Sequence, residues 1–313
     1  MNEIIVSVIL LVYNHEKYLK QAIDSILMQE VDFNYEIIIA EDKSTDSSRG
    51  IIDEYVNKYP DLFVVLYRNE NIGATKNSYE ACLLARGKYI ANLEGDDYWT
   101  DKKKLKKMVE FLEKDTSYIG VSHIIEGRDL ENRVLFKSPI LVNTNGEDIK
   151  IENFLKGKRF SAVATVFKNI FKDETNDYSI IHKANRNVGD YTLAALLLDK
   201  GNIRILNETM SVYRSRSIKG ESNYNSINNS MQKAKSHISL IKNVDKYFNG
   251  KYDFTGEYLK PITTAFYSFL KNNQLSDFYT SIYKILPMKV KLLFFAYMPY
   301  GVSKMIISKA KKC

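Results

Sequence analysis

Short apolar runs alternate with helical periodicities over the first 125 residues, and this alternation constrains the fold more than any other feature. Ile4–Val12 is a near-continuous apolar run, the pattern of a strand covered on both faces. Within Glu16–Met28, Leu19, Ile23, Ile26 and Leu27 fall at helical spacing, and Asn14 stands ahead of them as a cap. Glu36–Ala40 is a second buried strand, Thr45–Tyr59 a helix stopped by Pro60, and Leu62–Tyr67 a third strand. Ala74–Ala85 reads as a helix ended at Gly87, Lys88–Leu93 as a fourth strand, Lys102–Lys114 as a helix and Ile119–Ile125 as a fifth strand. A βαβ series of this kind predicts an α/β fold, a mostly parallel sheet with helices on both faces. Ligands of such sheets bind outside the carboxyl ends of the strands, so the loops after Val12, Ala40, Tyr67 and Leu93 are where function is expected.

Composition removes several classes. With 313 residues, 45% apolar and 27% charged, the chain has a globular make-up rather than that of a disordered one. Two cysteines, Cys82 and Cys313, are too few for a disulfide scaffold, and His15, His123, His182 and His237 lack zinc-ligand spacing. The first apolar run follows Glu3 without a basic leader or cleavage site, and no apolar stretch reaches the length of a spanning helix. A cytoplasmic protein is therefore expected. The net charge of +7 is localised: residues 278–313 hold seven lysines and no acid, which leaves 38 basic and 38 acidic residues elsewhere. A neutral body with a cationic tail argues against nucleic-acid binding and for a local contact with something anionic.

Residues 126–215 are less regular. Gly127–Arg133 reads as a hairpin turn, Ala162–Phe167 as a strand, Tyr191–Asp199 as an apolar helix, and Ile203–Leu206 and Met210–Tyr213 as two short strands. The Asn- and Ser-rich stretch Ser222–Ser230 reads as a linker, with helical patterns beyond it near 231–247, 260–271, 276–286 and 288–310, the last broken at Pro299. Lys102–Lys107, five lysines in six residues, reads as a solvated helix face with Glu110 and Glu113 near enough to pair weakly. In the tail, Leu292–Met298 is apolar and lysine-flanked, too short to span a bilayer but suited to lie in its interface. Packing of this face on the body or on a second copy, as a homodimer, is the alternative.

The strand-end loops carry the chemistry. Tyr13-Asn14-His15-Glu16 contains no glycine, which disfavours a dinucleotide fingerprint or P-loop; Tyr13 offers either a platform for a base or simple packing at the sheet edge. Glu41-Asp42-Lys43-Ser44-Thr45-Asp46 has three acids, of which Glu41 and Asp42 are free of capping duty and could accept from a base N–H or ribose hydroxyls. Glu94-Gly95-Asp96-Asp97 is the sharpest signal. Three carboxylates in four residues repel one another, and such clusters usually hold a cation; hard oxygen ligands suit Mg²⁺ or Mn²⁺ with positions open to phosphate.

Taken in order, Val6-Ser7-Val8-Ile9 ahead of Tyr13-Asn14, Glu41-Asp42-Lys43-Ser44-Thr45-Asp46, Asn71-Ile72-Gly73 and Glu94-Gly95-Asp96-Asp97 resemble the motifs of inverting family 2 glycosyltransferases of the GT-A fold. Gly189-Asp190-Tyr191, Gly201 and Ser211-Val212-Tyr213-Arg214 resemble members that build capsule and other surface glycans. The resemblance covers about 1–216 and implies a catalytic domain there, with a nucleotide-binding half (1–125) and an acceptor-binding half (126–216); the residue pattern places a linker at 217–230 and a basic helical region at 231–313. It implies a nucleotide-sugar donor, normally a UDP-sugar, a glycan or lipid-linked acceptor, and Mn²⁺ or Mg²⁺ as cofactor. Tyr13 and Asp42 would hold the base; Asp96 and Asp97 would serve ribose and metal, in an order left open, with Glu94 where the family has its first Asp. Asp190 falls on the catalytic base. The family often has a His after the Tyr-Arg segment; none is present here, so Arg214, Arg216 or Lys219 would neutralise the diphosphate, with Lys76 also in reach. A peripheral position at the inner face of the cell membrane would follow from the tail. An inactive nucleotide-sugar-binding or scaffold relative is the competing expectation.

Overall fold

The computed structural model describes residues 3–129, 131–139, 146–161, 164–215, 230–271 and 282–294. The chain forms two compact units, Met1–Ile218 and Lys219–Cys313. In the first unit, β1 (Ile4–Val12), β2 (Asn34–Glu41), β3 (Phe63–Tyr67) and β4 (Tyr89–Glu94) assemble in the order β3-β2-β1-β4, every pairing parallel. Burial explains the uninterrupted apolar runs: Val6, Val8, Ile9, Leu10, Ile37, Ile38 and Ile39 are all fully covered. Helices α1 (Leu19–Leu27), α2 (Ser48–Lys58), α3 (Ala74–Leu83) and α4 (Lys104–Lys114) are the crossovers. Glu36, an acid inside this apolar layer, is buried but fully answered. It accepts from Ser7 Oγ (2.6 Å) and from Arg86 through its backbone N–H (2.9 Å), Nε (2.8 Å) and Nη2 (2.6 Å).

Beyond β4 the sheet departs from a simple parallel series. The fifth expected strand is β6 (Tyr118–Arg128), and it does not pair with β4. The short strand β9 (Val166–Lys168) lies between them, antiparallel to both, so β6 still points the same way as β4. The two strands expected at 203–206 and 210–213 are one, β10 (Asn202–Arg214), parallel to β6 with register irregularities between Leu206 and Ser211. Asn207 and Glu208 sit in that bulged stretch, which is why the apolar pattern breaks there. Three further strands were not expected: β5 (Tyr98–Trp99) on β10, β7 (Val134–Ser138) on β6 and β8 (Glu147–Ile149) on β10. Helix α7 (Asp190–Lys200) precedes β10, with two short helices, α5 (Ile151–Leu155) and α6 (Ile180–Lys183), upstream.

Two local expectations are corrected. Asn14 does not cap α1: it adopts a left-handed φ of 56°, the helix starts at Leu19 after Tyr18, and the Asn14 side chain serves the neighbouring loop instead. The lysine-rich face of α4 is not wholly solvated. Lys102, Lys106 and Lys107 pair with Glu30, Asp32, Glu110, Asp101 and Glu208, but Lys104 is fully buried. It lies one and two helical repeats before Met108 and Leu112, on the stripe that faces the core.

In the second unit, α8 (Ser230–Phe248) and α9 (Thr255–Lys271) bury Ile238, Ile241, Val244, Tyr258, Ile262 and Ala265. Helix α9 begins upstream of the expected 260 and runs through Pro261. The stretch expected as a helix at 276–286 is a 3₁₀ turn at Tyr283–Ile285 in its described part, and a helix begins at 288. The linker residues 222–229, the tail from 295 onward, and Arg216 and Lys219 lie outside the described residues. No helix among the described residues is long and apolar enough to cross a membrane.

Candidate active site

Strand direction gathers the loops. Because β1, β2, β3 and β4 are parallel and end in register (Val12 opposite Glu41, Glu41 opposite Tyr67, Leu11 opposite Glu94), their following loops share one edge of the sheet. β6 and β10 point the same way, so Arg128 and Arg214 arrive there too. Helix α7 leads back to the start of β10, which puts its N-terminal Asp190 at that edge as well.

At the end of β4 the chain turns tightly, with Asp97 N–H donating to Glu94 O (3.0 Å) and Gly95 N–H to Leu11 O (2.8 Å). A Cβ on Gly95 would stand 2.6 Å from His15 Nδ1 and 3.1 Å from Leu11 O, so only glycine lets the loop approach β1 this closely. Carboxylate oxygens of Glu94, Asp96 and Asp97 lie within 4.8 Å of one another. Asp97 is buried, and that burial, followed by the charges of Asp96 and Glu94, holds its carboxyl well above the usual carboxylate range. The backbone N–H of Arg214 donates to Asp97 Oδ1 at 2.8 Å and offsets this in part. Three oxygen donors, strained by mutual repulsion and mixed in exposure, fit a hard divalent cation, which would relieve the repulsion.

The first two loops are laced together. Asn14 N–H donates to Ser44 Oγ (3.0 Å) and Thr45 N–H to Asn14 Oδ1 (2.8 Å); His15 N–H donates to Ser48 Oγ (2.9 Å) and Ser47 N–H to Glu16 Oε2 (3.0 Å). Tyr13 is half-buried at the head of this lacing. Glu41 is buried and internal to the loop, bonded to Ser44 N–H and ion-paired with Arg49. Asp42 is buried with both oxygens on backbone: Oδ1 accepts from Ile72 N–H (2.8 Å) and Oδ2 from Gly73 N–H (2.9 Å). Each oxygen keeps a second lone pair for a ligand.

Asp190 is exposed at the first position of α7 and accepts from Tyr191 N–H at 2.9 Å. The segment before it is fastened to the start of α3. Thr75 Oγ1 lies 2.9 Å from Asn185 O and 2.8 Å from Arg186 O, its one proton shared between the two carbonyls. Lys76, the next residue on α3, lies 3.8 Å from Glu80 in an i,i+4 pair.

Arg214 is central to a cleft of about 280 Å³ lined also by Tyr18, Gln21, Tyr98, Asp129 and Asn132. Its guanidinium lies 4.9 Å from the Tyr18 ring centroid and 4.6 Å from that of Tyr98, and it donates to Asp96 O and Gln21 Oε1. Sequence reasoning singled out Arg214 for its charge but missed that its backbone N–H meets Asp97. Tyr18, Gln21, Tyr98, Asp129, Asn132 and Thr75 were missed too. Tyr98, Asp129 and Asn132 follow strand ends, but Tyr18, Gln21 and Thr75 sit at or within the first turns of α1 and α3 and carry no sequence signal, since their partners lie on other elements.

The sequence matches the family described as Glycosyl transferase family 2 over residues 7–173, more than half of the chain. The chain belongs to glycosyl transferase family 2. This family 2 member is 32% identical over 217 residues to an uncharacterized protein of Mycobacterium tuberculosis, covering 66% of its own length and 58% of the relative's. It thus spans a little over half of that relative. It is 31% identical over 140 residues to the Escherichia coli UDP-Glc:alpha-D-GlcNAc-diphosphoundecaprenol beta-1,3-glucosyltransferase WfaP, covering 44% of this chain and 53% of that one. In three dimensions it is similar to residues 1–349 of Staphylococcus aureus TarS in complex with UDP-GlcNAc. The TM-score is 0.64 at 18% identity, over 96% of this chain and 88% of that one, a likeness of fold. The architecture is GT-A, a central sheet flanked by helices.

Proposed function

We propose that this family 2 member transfers a sugar from a UDP-sugar to a hydroxyl of a glycan or lipid-linked acceptor in surface-polysaccharide assembly, with inversion. The observation that carries this reading is the convergence of Glu94, Asp96 and Asp97 at the sheet edge shared with Tyr13 and Asp42. The UDP-glucose donor named for WfaP and the UDP-GlcNAc held by TarS support the choice of nucleotide. Tyr13 and the second lone pairs of Asp42 take the base, and Asp96 the ribose. Asp97, with Asp96 and Glu94, would hold Mn²⁺ or Mg²⁺, which when bound would supply positive charge to a diphosphate leaving group. Arg214 faces the same charge, with Arg216, Lys219 and Lys76 as further cations. Asp190 takes the proton of the acceptor hydroxyl, and a single base without a carboxylate nucleophile is what one-step inversion requires. Catalysis is assigned to 1–216. Calorimetric titration of the protein with UDP is expected to give binding that tightens at least about tenfold with Mn²⁺, because the buried repulsion among the three acids is relieved. Absence of binding in both conditions overturns the donor reading and leaves an inactive relative of the same fold.

The basic tail, 288–313, is assigned to the inner face of the cell membrane. Met288 and Leu292, one turn apart on the helix that begins at 288, are 70% and 65% exposed, while Val290 and Phe294 are buried. Anionic lipid contributes about 1 kcal/mol per nearby lysine, so half of the seven lysines of 278–313 supply about 3–4 kcal/mol. Replacing Met288 and Leu292 by Asp is expected to release the protein from phosphatidylglycerol vesicles. Unchanged co-sedimentation refutes the membrane assignment and favours a protein contact.

A further inference from the structure

The edge of the sheet contains a connection between the residue assigned to the base and the residue assigned to the proton. It starts at Asp42, whose two carboxylate oxygens hold the N–H groups of Ile72 and Gly73, while Asn71 Nδ2 donates back to Asp42 O at 3.2 Å. The 71–73 segment is in turn covered by Arg186. Arg186 Nη2 donates to Asn71 O (3.1 Å), and a Cβ on Gly73, whose φ is +89°, would come within 2.9 Å of Arg186 Cγ and Nε. Two residues further on, Thr75 is buried. Its hydroxyl serves the carbonyls of both Asn185 and Arg186, and its backbone N–H reaches Arg186 O at 3.4 Å. Its methyl group would stand 3.0 Å from a Cβ on Gly189. The Asn185 side chain then accepts from Asn187 N–H (2.9 Å) and Val188 N–H (3.1 Å), which closes the turn that ends at Asp190.

Each side-chain hydrogen bond of the path joins one particular side chain to backbone, so these side chains fix the main-chain position of the segments they tie together. A hydroxyl that bonds two successive carbonyls leaves little freedom for the turn that aims Asp190. We propose that Thr75 is a positioning residue for Asp190, and that the strap it closes couples nucleotide occupancy at Asp42 to the order of the 185–190 turn. This rests on the donor reading above. A nucleotide that binds through Asp42 stiffens the Ile72–Gly73 contact, and Thr75 and Arg186 pass that stiffening to the turn. Donor arrival thereby sets the base before an acceptor is deprotonated.

Hydrogen exchange on the full chain, with and without UDP and Mn²⁺, tests this. In the wild-type protein, UDP is expected to slow exchange of the amides at 185–191 by about tenfold, the effect of stabilising roughly one hydrogen bond's worth of closure. Thr75→Val is expected to lose that slowing while binding UDP with near wild-type affinity by calorimetry, and Thr75→Ser, which keeps the hydroxyl, to retain it. If Thr75→Val does not fold, Arg186→Ala, an exposed position, reads the same coupling through the lost bond to Asn71 O. UDP binding without slowing at 185–191, or equal slowing in Thr75→Val, overturns the strap and leaves the donor reading intact. Failure of the wild type to bind UDP overturns the donor reading itself.

Discussion

Replacing Asp190 with Asn is expected to lower sugar transfer by about 10²–10⁴-fold, the range a positioned general base contributes. The loss should fall on turnover. Asp190 is exposed at the start of α7 and its one described hydrogen bond is from Tyr191 N–H, which the amide oxygen of Asn can also accept. The helix start therefore keeps its partner, while the group assigned to take the proton disappears. UDP affinity with Mn²⁺ should stay within about twofold, because the nucleotide is assigned to other loops. Release of UDP from the donor, followed in parallel with calorimetry, reads both quantities. Transfer near the wild-type rate would falsify the assignment of the base, whatever the nucleotide data show.

The second large effect is on stability. Lys104 is fully buried, its ammonium position lies 3.9 Å above the Trp99 ring, and burial pushes its proton affinity down to about 7 from the usual 10.5. Its surroundings offer little relief: His123 on β6 is also buried, and burial together with Lys104 lowers it to about 3, so it stays neutral. The unfolded chain binds the Lys104 proton up to about pH 10.5, whereas the folded chain binds it only below about pH 7. Stability therefore rises with pH across that window, and below about pH 7 the folded state carries the whole cost. At 1.36 kcal/mol per pH unit, burial alone sets that cost at no more than about 5 kcal/mol, and attraction to the Trp99 face, which raises the folded proton affinity and narrows the window, brings it to about 3 kcal/mol. Lys104→Met keeps the aliphatic stem and removes the amine. Urea unfolding at pH 6 should show a gain of about 3 kcal/mol, and the rise in stability between pH 7 and pH 10 should be much reduced. A variant no more stable than wild type at pH 6 would show that the ammonium finds compensation where it lies.

Apolar continuity made the first four strands readable, since a strand covered on both faces leaves an unbroken run. The same logic hid β5. Two residues, Tyr98 and Trp99, make no pattern, and they pair with Val212 and Ser211 more than a hundred positions away. β10 looked like two strands because Asn207 and Glu208 interrupt its apolar residues at the bulge. Lys104 was misread because composition marks a run of lysines as solvent-facing; only the spacing to Met108 and Leu112 distinguishes it. At the site, the acids were visible as types at strand ends. Their division of labour was not, because it depends on partners in space. Glu41 and Asp42 are neighbours, yet one is consumed by Arg49 and Ser44 while the other grips the main chain of Ile72 and Gly73. Arg214 reaches Asp97 through a backbone N–H, which no side-chain pattern can announce.

The position of β9 also governs the order in which a ribosome can finish this sheet. When Arg128 has been synthesised, β6 has no hydrogen-bonding neighbour at β4, because the strand that joins them, Val166–Lys168, has yet to be made. Until then the Tyr89–Ala91 edge of β4 stands open, an apolar template of the kind that pairs with other chains. Polypeptides released short of Lys168 keep that edge, so translational pausing or premature termination in this interval exposes the nascent protein to aggregation, and chaperone demand should peak before the last three residues of the junction emerge.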